Sequence, residues 1–403
     1  MTDVLKVADE AGLVAAVRAA LEAGKTLDVT GRGSKRGLGR PSQTDWTLDL
    51  SGLSGVTLYE PEELILSAKA GTPIAEIEAL LQARGQMLAF EPLDYGPLLG
   101  TADAAGTLGG VIACNLAGPR RISHGAARDH ALGARAVSGR AEAFKSGGRV
   151  VKNVTGYDLP RLFAGSYGTL AVLSEFTLKV LPRPPMAETV VLPGVAPEVA
   201  GRAMSAAMGS SCEVSGAAYL PAPVAARIPE LNVDVPAVAL RLEGFEPSVR
   251  ARRAMLISVL MPFGAVEVAE DAASAAIWSA IRDVRPFAGT GERAVWRLST
   301  APSAGPALAA ELAETLGAEA YCDWAGGLVW LLLPGEASQA EAVRAALAPH
   351  GGHATLVRAS AAERAAVPVF QPQEAGLAAL TRRVKASFDP RGVLNPGRMY
   401  AGM

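Results

Sequence analysis

The sequence has few of the residues from which metal and disulfide sites are built. Its three cysteines, Cys114, Cys212 and Cys322, lie far apart and form no Cys-x-x-Cys pair. This spacing argues against a disulfide framework and against an iron–sulfur cluster held by this chain, since such a cluster needs about four clustered thiolates. The four histidines include no His-Glu-x-x-His motif, which disfavours a zinc hydrolase. We therefore expect no metal site in this chain.

Charge imbalance and long apolar runs are also missing. The chain has 38 basic and 40 acidic residues, and its net charge of -2 gives no sign of a nucleic-acid-binding domain. The longest strongly apolar run, residues 328–333, is far shorter than the ~20 residues of a membrane span. The acidic N-terminus shows no signal-peptide core. These absences predict a cytoplasmic protein with no transmembrane segment.

The composition is that of a chain with well-formed cores. Half of the 403 residues are hydrophobic, which suits two or three domains. The proline-rich residues 182–185 follow a strand-like segment and predict a linker. Strand-like and helix-like stretches alternate after that point, as is typical of an α+β domain. We expect a first domain over residues 1–184, a second over 185–375 and a C-terminal segment over 376–403.

Local patterns predict the elements that surround the glycine-rich segments described next. Residues 13–21 have apolar positions at helical spacing, and Gly24 stands where a C-cap would lie. Residues 26–30 alternate like a short strand. Thr72 and Pro73 predict the start of another helix, with Thr72 as its N-cap. A strand-like stretch therefore leads directly into the first of the glycine-rich segments.

Glycine is what the first half of the chain has in excess, gathered into three short segments. They are GRGSKRGLG over residues 31–39, GTLGGVIACNLAGPRR over residues 106–121, and GSYGTLAVL over residues 165–173. Glycine lets consecutive backbone N–H groups point into one concavity, which is what a phosphate requires. Three such segments in one domain favour a single extended ligand held by the main chain.

Each segment also has a plainer interpretation. The first is neither a G-x-G-x-x-G fingerprint nor a P-loop, and a surface turn would explain it as well. The pair Gly109-Gly110 is also consistent with a bulge or with close packing of a helix on a strand. Arg120 and Arg121 would in that case simply be solvated.

Five segments taken in order resemble the vanillyl-alcohol-oxidase (PCMH-type) FAD-binding family, and are most similar to its glycolate oxidase branch. They are GRGSK, GTLGGVIACNLAGPRR, RDHALG, GGRVVKNVTGYDLPRLFAGSYGTLAVLSEFTLKVLPRP and FDPRGVLNPG. The resemblance implies an α+β fold with a PCMH-type FAD-binding domain of two α/β subdomains and an α+β (ferredoxin-like) cap domain. It also implies that the C-terminal segment returns to the FAD-binding domain.

The resemblance further implies which residues contact FAD. The first loop would hold the pyrophosphate, the second segment would run along the pyrophosphate and the isoalloxazine, and the third would hold the adenosine. The implied residues are Val29, Thr30, Gly31, Arg32, Gly33, Ser34, Lys35, Ala104, Ala105, Gly106, Thr107, Leu108, Gly109, Gly110, Gly118, Pro119, Arg120, Ser123, Tyr167, Gly168, Thr169, Val172, Leu173 and Asn395. Because the first loop reads RGSK and has no histidine, we expect the FAD to be non-covalent.

The resemblance implies a role as the FAD-binding subunit of a multi-subunit glycolate (2-hydroxy acid) oxidoreductase. Its partners would be a second, catalytic flavoprotein subunit and an iron–sulfur subunit, through which it could lie at the periphery of the inner membrane. The His-x-Gly-Asp-Gly-Asn-x-His segment of catalytic hydroxy-acid relatives is missing, so no catalytic base is assigned. Two alternatives stay open: a self-sufficient FAD-dependent dehydrogenase and a non-catalytic scaffold with the same fold.

Overall fold

A computed structural model describes residues 3–101, 106–150 and 156–403. The strands are β1 (Asp3–Lys6), β2 (Leu27–Thr30), β3 (Trp46–Asp49), β4 (Val56–Glu60), β5 (Ile65–Lys69), β6 (Gln86–Met87), β7 (Ala131–Ser138), β8 (Ala143–Gly147), β9 (Ala171–Lys179), β10 (Leu181–Pro182), β11 (Met186–Pro193), β12 (Gly216–Leu220), β13 (Ala237–Gly244), β14 (Glu267–Glu270), β15 (Val295–Ser299), β16 (Glu319–Asp323), β17 (Leu328–Leu332) and β18 (His353–Arg358). The helices are α1 (Glu10–Ala23), α2 (Ile74–Gln82), α3 (Gly96–Leu99), α4 (Leu108–Cys114), α5 (Arg121–His124), α6 (Leu159–Phe163), α7 (Pro197–Met208), α8 (Ala222–Ala225), α9 (Glu246–Leu260), α10 (Asp271–Arg282), α11 (Gly305–Leu316), α12 (Ala340–Leu347), α13 (Ala361–Ala366) and α14 (Ala375–Phe388).

The chain divides into two compact units. The first comprises Met1–Ala117, Gly125–Arg183 and Pro372–Met403, and the second comprises Gly118–His124 and Pro184–Gln371. The short segment Gly118–His124 packs with the second unit, and the tail Pro372–Met403 packs with the first. The domain bounds 1–184, 185–375 and 376–403 stay a prediction. The mixture of helices with parallel and antiparallel strands confirms the predicted α+β class.

A small parallel sheet forms one half of the first unit. Its strand order is β1-β3-β2, and α1 buries Leu13 and Val17 in the core beside it. Asp9 caps the start of α1 by accepting a hydrogen bond from Gly12 N at 2.7 Å. Gly24 ends the helix with φ +64, which confirms the predicted C-cap because L-residues with side chains rarely adopt that backbone conformation.

The C-terminal tail extends this parallel sheet. Leu27 N donates to Val393 O at 2.8 Å, and Asn395 N donates to Leu27 O at 3.0 Å. The tail therefore lies beside β2, the strand from which the first glycine-rich loop emerges.

A five-stranded antiparallel sheet, in the order β4-β5-β9-β7-β8, forms the other half of the first unit. Helix α2 follows β5, as predicted, but the expected N-cap at Thr72 is wrong, because Pro73 occupies the cap position. The Thr72 hydroxyl instead donates to Lys69 O at 2.7 Å and accepts from Gly55 N at 2.9 Å. It fastens the turn after β5 to the start of β4.

The second unit is built on an eight-stranded antiparallel sheet in the order β14-β11-β13-β12-β16-β17-β15-β18. Helices α7, α9, α11 and α12 pack against strands of this sheet. Its largest fully buried side chains include Trp296, Trp330 and Tyr321. These buried aromatic side chains form part of the core of the second unit.

Candidate functional site

The three glycine-rich segments meet around one cleft in the first unit. Two cavities that share several lining residues make up this cleft, with volumes of about 530 Å³ and about 510 Å³. The shared lining residues are Val29, Thr30, Gly31, Thr107, Gly110, Ala113, Tyr167 and Asn395. The sequence-predicted segments are thus brought together in space.

The loop after β2 presents its backbone to the cleft. Among the described residues, the N–H groups of residues 31–35 have no hydrogen-bond acceptor. The loop is instead fixed at its ends, where Arg36 N donates to Gly33 O at 3.1 Å and the Arg36 guanidinium pairs with Asp28 at 3.1 Å. Gly33 has φ +79, which favours glycine. A row of N–H groups without internal acceptors is suited to phosphate oxygens.

The second segment packs tightly against the first loop. A Cβ on Gly31 would stand 2.6 Å from Thr107 Oγ1, so the two segments can approach this closely only with glycine at position 31. Thr107 is also the N-cap of α4, where its hydroxyl accepts from Gly110 N at 3.4 Å.

Gly109 and Gly110 have different roles in α4. Gly109 N donates to Ala70 O at 2.8 Å, and a Cβ on Gly109 would stand 2.9 Å from Ala70 Cβ. Gly109 therefore serves the close packing of α4, although it also lines the second cavity. The nearest atom to a Cβ on Gly110 would be Thr107 Oγ1, at 3.4 Å. Gly110 lines both cavities and keeps space for a ligand.

Lys35 supplies positive charge to the first cavity. Its Nζ lies 3.3 Å from Ser34 Oγ and 2.5 Å from the position of a Cβ on Gly106. Burial lowers the pKa of the Lys35 ammonium, while Cys114 and the Asp94 carboxylate oppose that shift. In the described ranges Lys35 forms no ion pair with a carboxylate. The ammonium is therefore available to an anionic ligand.

Asn395 holds the cleft together from the C-terminal tail. Its Oδ1 accepts from Val29 N at 2.8 Å, and its Nδ2 donates to Tyr167 O at 2.8 Å. A Cβ on Gly168, which has φ +68, would stand 2.8 Å from Asn395 Nδ2. One amide side chain thus fixes the distance between the end of β2 and the third glycine-rich turn.

A buried ion pair supports the tail behind Asn395. Lys385 Nζ donates to Asp389 Oδ2 at 2.6 Å, to Thr169 O at 2.7 Å and to Leu394 O at 2.9 Å. The Asp389 carboxylate in turn accepts from the N–H groups of Val393 and Leu394. The segment FDPRGVLNPG therefore ends α14 and positions Asn395. The i, i+4 spacing of Lys385 and Asp389 before NPG was a signal that sequence reasoning did not use.

Apolar side chains line the far part of the second cavity. Val172 and Leu173 face it together with Leu50, Ala70 and Ala171. A flat aromatic ring would be desolvated favourably there.

Some of the predicted residues lie outside the walls of the two cavities. Gly106 packs against Lys35, Leu108 is fully buried, and the Thr169 hydroxyl donates to Ser166 O at 2.7 Å and so shapes the third turn. Ala104 and Ala105 lie outside the described residues.

Arg398 is a cleft residue that the sequence reasoning missed. It lines the first cavity, and its guanidinium donates to Lys35 O at 3.0 Å. Its position directly after the NPG turn was the available signal.

Arg120 belongs to the second unit, where it forms a buried ion pair. Its Nε donates to Glu243 Oε2 at 2.9 Å and its Nη2 donates to Glu243 Oε1 at 2.5 Å. Burial raises the pKa of Glu243, but Arg241, Arg120 and the Ser215 hydroxyl outweigh it and lower the pKa to about 2. The expected contact of Arg120 with the cofactor remains a prediction.

Gly118, Pro119 and Ser123 accompany Arg120 in the second unit. The Trp324 indole N–H donates to Gly118 O at 3.0 Å, and the Ser123 hydroxyl donates to Arg120 O at 3.1 Å. None of these residues is in the walls of the two cavities described above. Their implied cofactor contacts likewise remain predictions.

The cleft fits FAD by its own chemistry. The backbone N–H groups and Lys35 form a cationic end suited to a pyrophosphate, glycine backbones keep the middle open, and apolar side chains form the other end. No histidine lines either cavity within the described ranges. Among the described residues, no group of three or more His, Cys, Asp and Glu side chains is placed to hold a metal ion. None of the helices in these ranges has the length and apolar character needed to cross a bilayer.

Comparisons with known proteins agree with this assignment. Residues 2–147 match the family described as FAD binding domain. The chain is 38% identical to the glycolate oxidase subunit GlcE of Escherichia coli over 379 residues, which covers 93% of each chain. It is 28% identical to the glycolate oxidase subunit GlcD of Bacillus subtilis over 38% of this chain and 30% of that one. The structure of a p-cresol methylhydroxylase with substrate bound has a TM-score of 0.73 over 99% of this chain and 88% of that one, at 14% identity. This last similarity confirms the predicted PCMH-type fold.

Proposed function

This chain belongs to the family of the glycolate oxidase subunit GlcE, and we propose that it is the FAD-binding subunit of a multi-subunit oxidoreductase acting on glycolate or a similar 2-hydroxy acid. The observation that carries the proposal is the cleft of the first unit, in which three glycine-rich segments and the C-terminal tail surround unbonded backbone N–H groups and Lys35. The 38% identity over nearly the whole chain supports the choice of substrate class.

The residues of the cleft have distinct roles in holding the cofactor. The N–H groups of residues 31–35 and the Lys35 ammonium bind the pyrophosphate. Val172 and Leu173 pack against the adenine, and the space beside Gly110 admits the rest of the dinucleotide. Asn395 keeps the two sides of the cleft at the required distance. When bound, the isoalloxazine supplies hydride acceptance. Non-covalent binding is supported by the absence of histidine from the described cavity walls.

The proposed assembly adds a second, catalytic flavoprotein subunit and an iron–sulfur subunit. Cys114, Cys212 and Cys322 are free cysteines, and the last two are buried, which supports the proposal that a cluster accepting electrons belongs to another chain. The similarity to proteins named as subunits supports an assembly of this kind. We place the complex in the cytoplasm, or at the inner membrane surface through its partners.

Purification of the chain alone, followed by anaerobic addition of substrate, tests this proposal. We expect a yellow protein that releases all of its FAD on acid precipitation and whose flavin absorption does not bleach with glycolate or D-lactate. Bleaching by either acid would instead establish a self-sufficient dehydrogenase. A colourless chain that cannot be reconstituted with FAD would contradict the proposal and favour a scaffold. Co-purification with a second flavoprotein and a cluster-bearing chain tests the assembly.

A further inference from the structure

A second concentration of ligand-binding side chains lies in the second unit. Strands β15 and β18 pair antiparallel, with Arg297 opposite Thr355 and Ser299 opposite His353. Residues opposite each other and residues two apart on a strand share one face of a sheet. These four side chains therefore project from the same face. They provide a guanidinium, an imidazole and two hydroxyl groups.

An aromatic ring and a second guanidinium complete this cluster. The Arg297 guanidinium carbon lies 5.0 Å from the centre of the Trp324 ring, and that of Arg121 lies 4.4 Å from it. Trp324 is buried and donates its indole N–H to Gly118 O, which fixes the ring in place. We call Arg121, Arg297, His353 and Trp324, with Ser299 and Thr355, the cationic face. Its members come from four separate parts of the chain.

Two members of the cationic face, Arg297 and His353, have no carboxylate partner in the part of the chain that the structure describes. Asp323, which precedes Trp324, is buried and accepts from Trp324 N at 2.7 Å. Arg121 and His353 are exposed, and Arg297 is half-buried. Solvent and ligands can reach the cluster.

The pKa of His353 is affected by partial burial and by the neighbouring charges of Arg297 and Arg121. Partial burial lowers the pKa of His353, and the positive charges of Arg297 and Arg121 lower it further. Like charges held together on a rigid sheet destabilise each other, and a bound anion would relieve that repulsion.

We propose that the cationic face binds the carboxylate of a small organic acid. Planar carboxylates match the donor fork of a guanidinium, and the imidazole and hydroxyl groups supply further donors. The anion site follows from the residues of the second unit alone. The choice of a carboxylate rather than another small oxyanion rests on the proposed function. The cluster would therefore give this subunit a carboxylate site separate from the cleft that holds FAD.

Ring proton resonances of His353 in the full chain test the proposal. The chain has four histidines, and the His353 signal is assigned by its loss in His353→Gln. The signal is followed against pH with increasing sodium glycolate, and separately with inorganic phosphate. We expect glycolate to move the His353 titration to higher pH in a saturable manner and to bind more tightly as the pH falls, because a bound anion favours the protonated ring.

Three variants make the result specific. Arg297→Gln should weaken glycolate binding by about tenfold or more, since it removes a charge-assisted donor pair. Arg297→Lys keeps the positive charge but not the paired donors of the guanidinium, so its loss of glycolate affinity should be smaller than that of Arg297→Gln. Arg250→Gln, on the exposed side of α9, should bind glycolate like the wild type. Far-ultraviolet circular dichroism of each variant checks that it is folded.

Several results would overturn the proposal. They are the absence of a His353 response to glycolate, an equal response in Arg297→Gln, and a tighter response to phosphate than to glycolate. FAD content is measured on the same samples. A chain without FAD that still shows the His353 response contradicts only the proposed function. A flavin-loaded chain without that response contradicts only the carboxylate site.

Discussion

The cleft of the first unit and the cationic face of the second unit recognise ligands by different means. The cleft uses backbone N–H groups, glycines with positive φ and a single lysine, whereas the cationic face uses two guanidinium groups and an imidazole around a tryptophan. Backbone recognition favours glycine at several neighbouring positions and so leaves a local pattern in the sequence. Side chains gathered from positions 121, 297, 324 and 353 leave no local pattern. The cleft can therefore be predicted from the sequence, whereas the cationic face cannot be recognised without a structure.

The largest expected effect on the cleft of the first unit comes from the substitution Gly110→Trp. The indole would fill the space shared by the two cavities, so we expect FAD binding to be lost, by more than about 3 kcal/mol. A Cβ on Gly110 meets no atom closer than 3.4 Å, and the backbone there is helical, so the fold should survive. Flavin absorbance and circular dichroism measure the two effects.

Gly376→Trp is the matched control for that experiment. Gly376 lies in α14, and nothing stands within 4 Å of a Cβ there. This variant should retain its FAD. Full flavin occupancy in folded Gly110→Trp would show that the cleft is not the cofactor site.

A large effect, on stability instead of cofactor binding, is expected from Lys385→Met, which removes one partner of a buried ion pair. Asp389 would be left buried without its cation, at a cost of about 3–5 kcal/mol in the free energy of unfolding. Urea unfolding measures this loss. Lys385→Met combined with Asp389→Leu should recover part of the stability if the unpaired charge is the cause. If Lys385→Met is as stable as the wild type, the ion pair of Lys385 and Asp389 does not help to position Asn395.

Acid should weaken the second unit through Glu243. Its pKa in the folded protein is about 2, below the ordinary value of 4.5, so its contribution is fully present above the ordinary value and is lost as the pH falls toward 2. The loss amounts to about 3 kcal/mol. Urea unfolding between about pH 5 and about pH 2 should therefore show a steeper decline for the wild type than for Glu243→Gln. Parallel declines would contradict the role given to the Arg120 pair.

The smallest of these effects is expected from Asn395→Ala, which removes two hydrogen bonds that span the cleft. We expect FAD affinity to fall by about tenfold, because the first loop and the third turn lose their common support. Asn395→Asp keeps an acceptor for Val29 N but cannot donate to Tyr167 O. Its affinity should fall below that of the alanine variant, because the new carboxylate would face Tyr167 O and repel the anionic ligand. Identical affinities in all three proteins would mean that Asn395 does not position the cleft.

Much of the cleft could be predicted from the sequence because its elements are local. Gly24 marks a helix end, residues 26–30 mark a strand, and the glycines that follow mark a loop. These features depend on backbone conformations that glycine favours. The family resemblance added the order of the segments and the return of the C-terminal tail.

Other features could not be predicted because distant residues decide them. Thr72 has the local pattern of an N-cap, but its hydroxyl accepts a hydrogen bond from Gly55 N and donates one to Lys69 O instead. Arg120 follows a glycine-rich segment, yet its guanidinium is held by Glu243, which lies 123 positions further along the chain. Burial and pairing of this kind depend on which strands become neighbours, which local patterns do not state.

The central claim is that the cleft holds a dinucleotide through the backbone of residues 31–35, Lys35 and the apolar end at Val172 and Leu173. Titration of the flavin-free chain with FAD and with FMN, followed by calorimetry, tests this claim directly. FMN has one phosphate in place of the pyrophosphate and lacks the adenosine, so we predict that FAD binds at least about 100-fold more tightly. We also predict one FAD per chain and competition from ADP for the same site. Equal affinities for FAD and FMN, with no competition from ADP, would contradict the account.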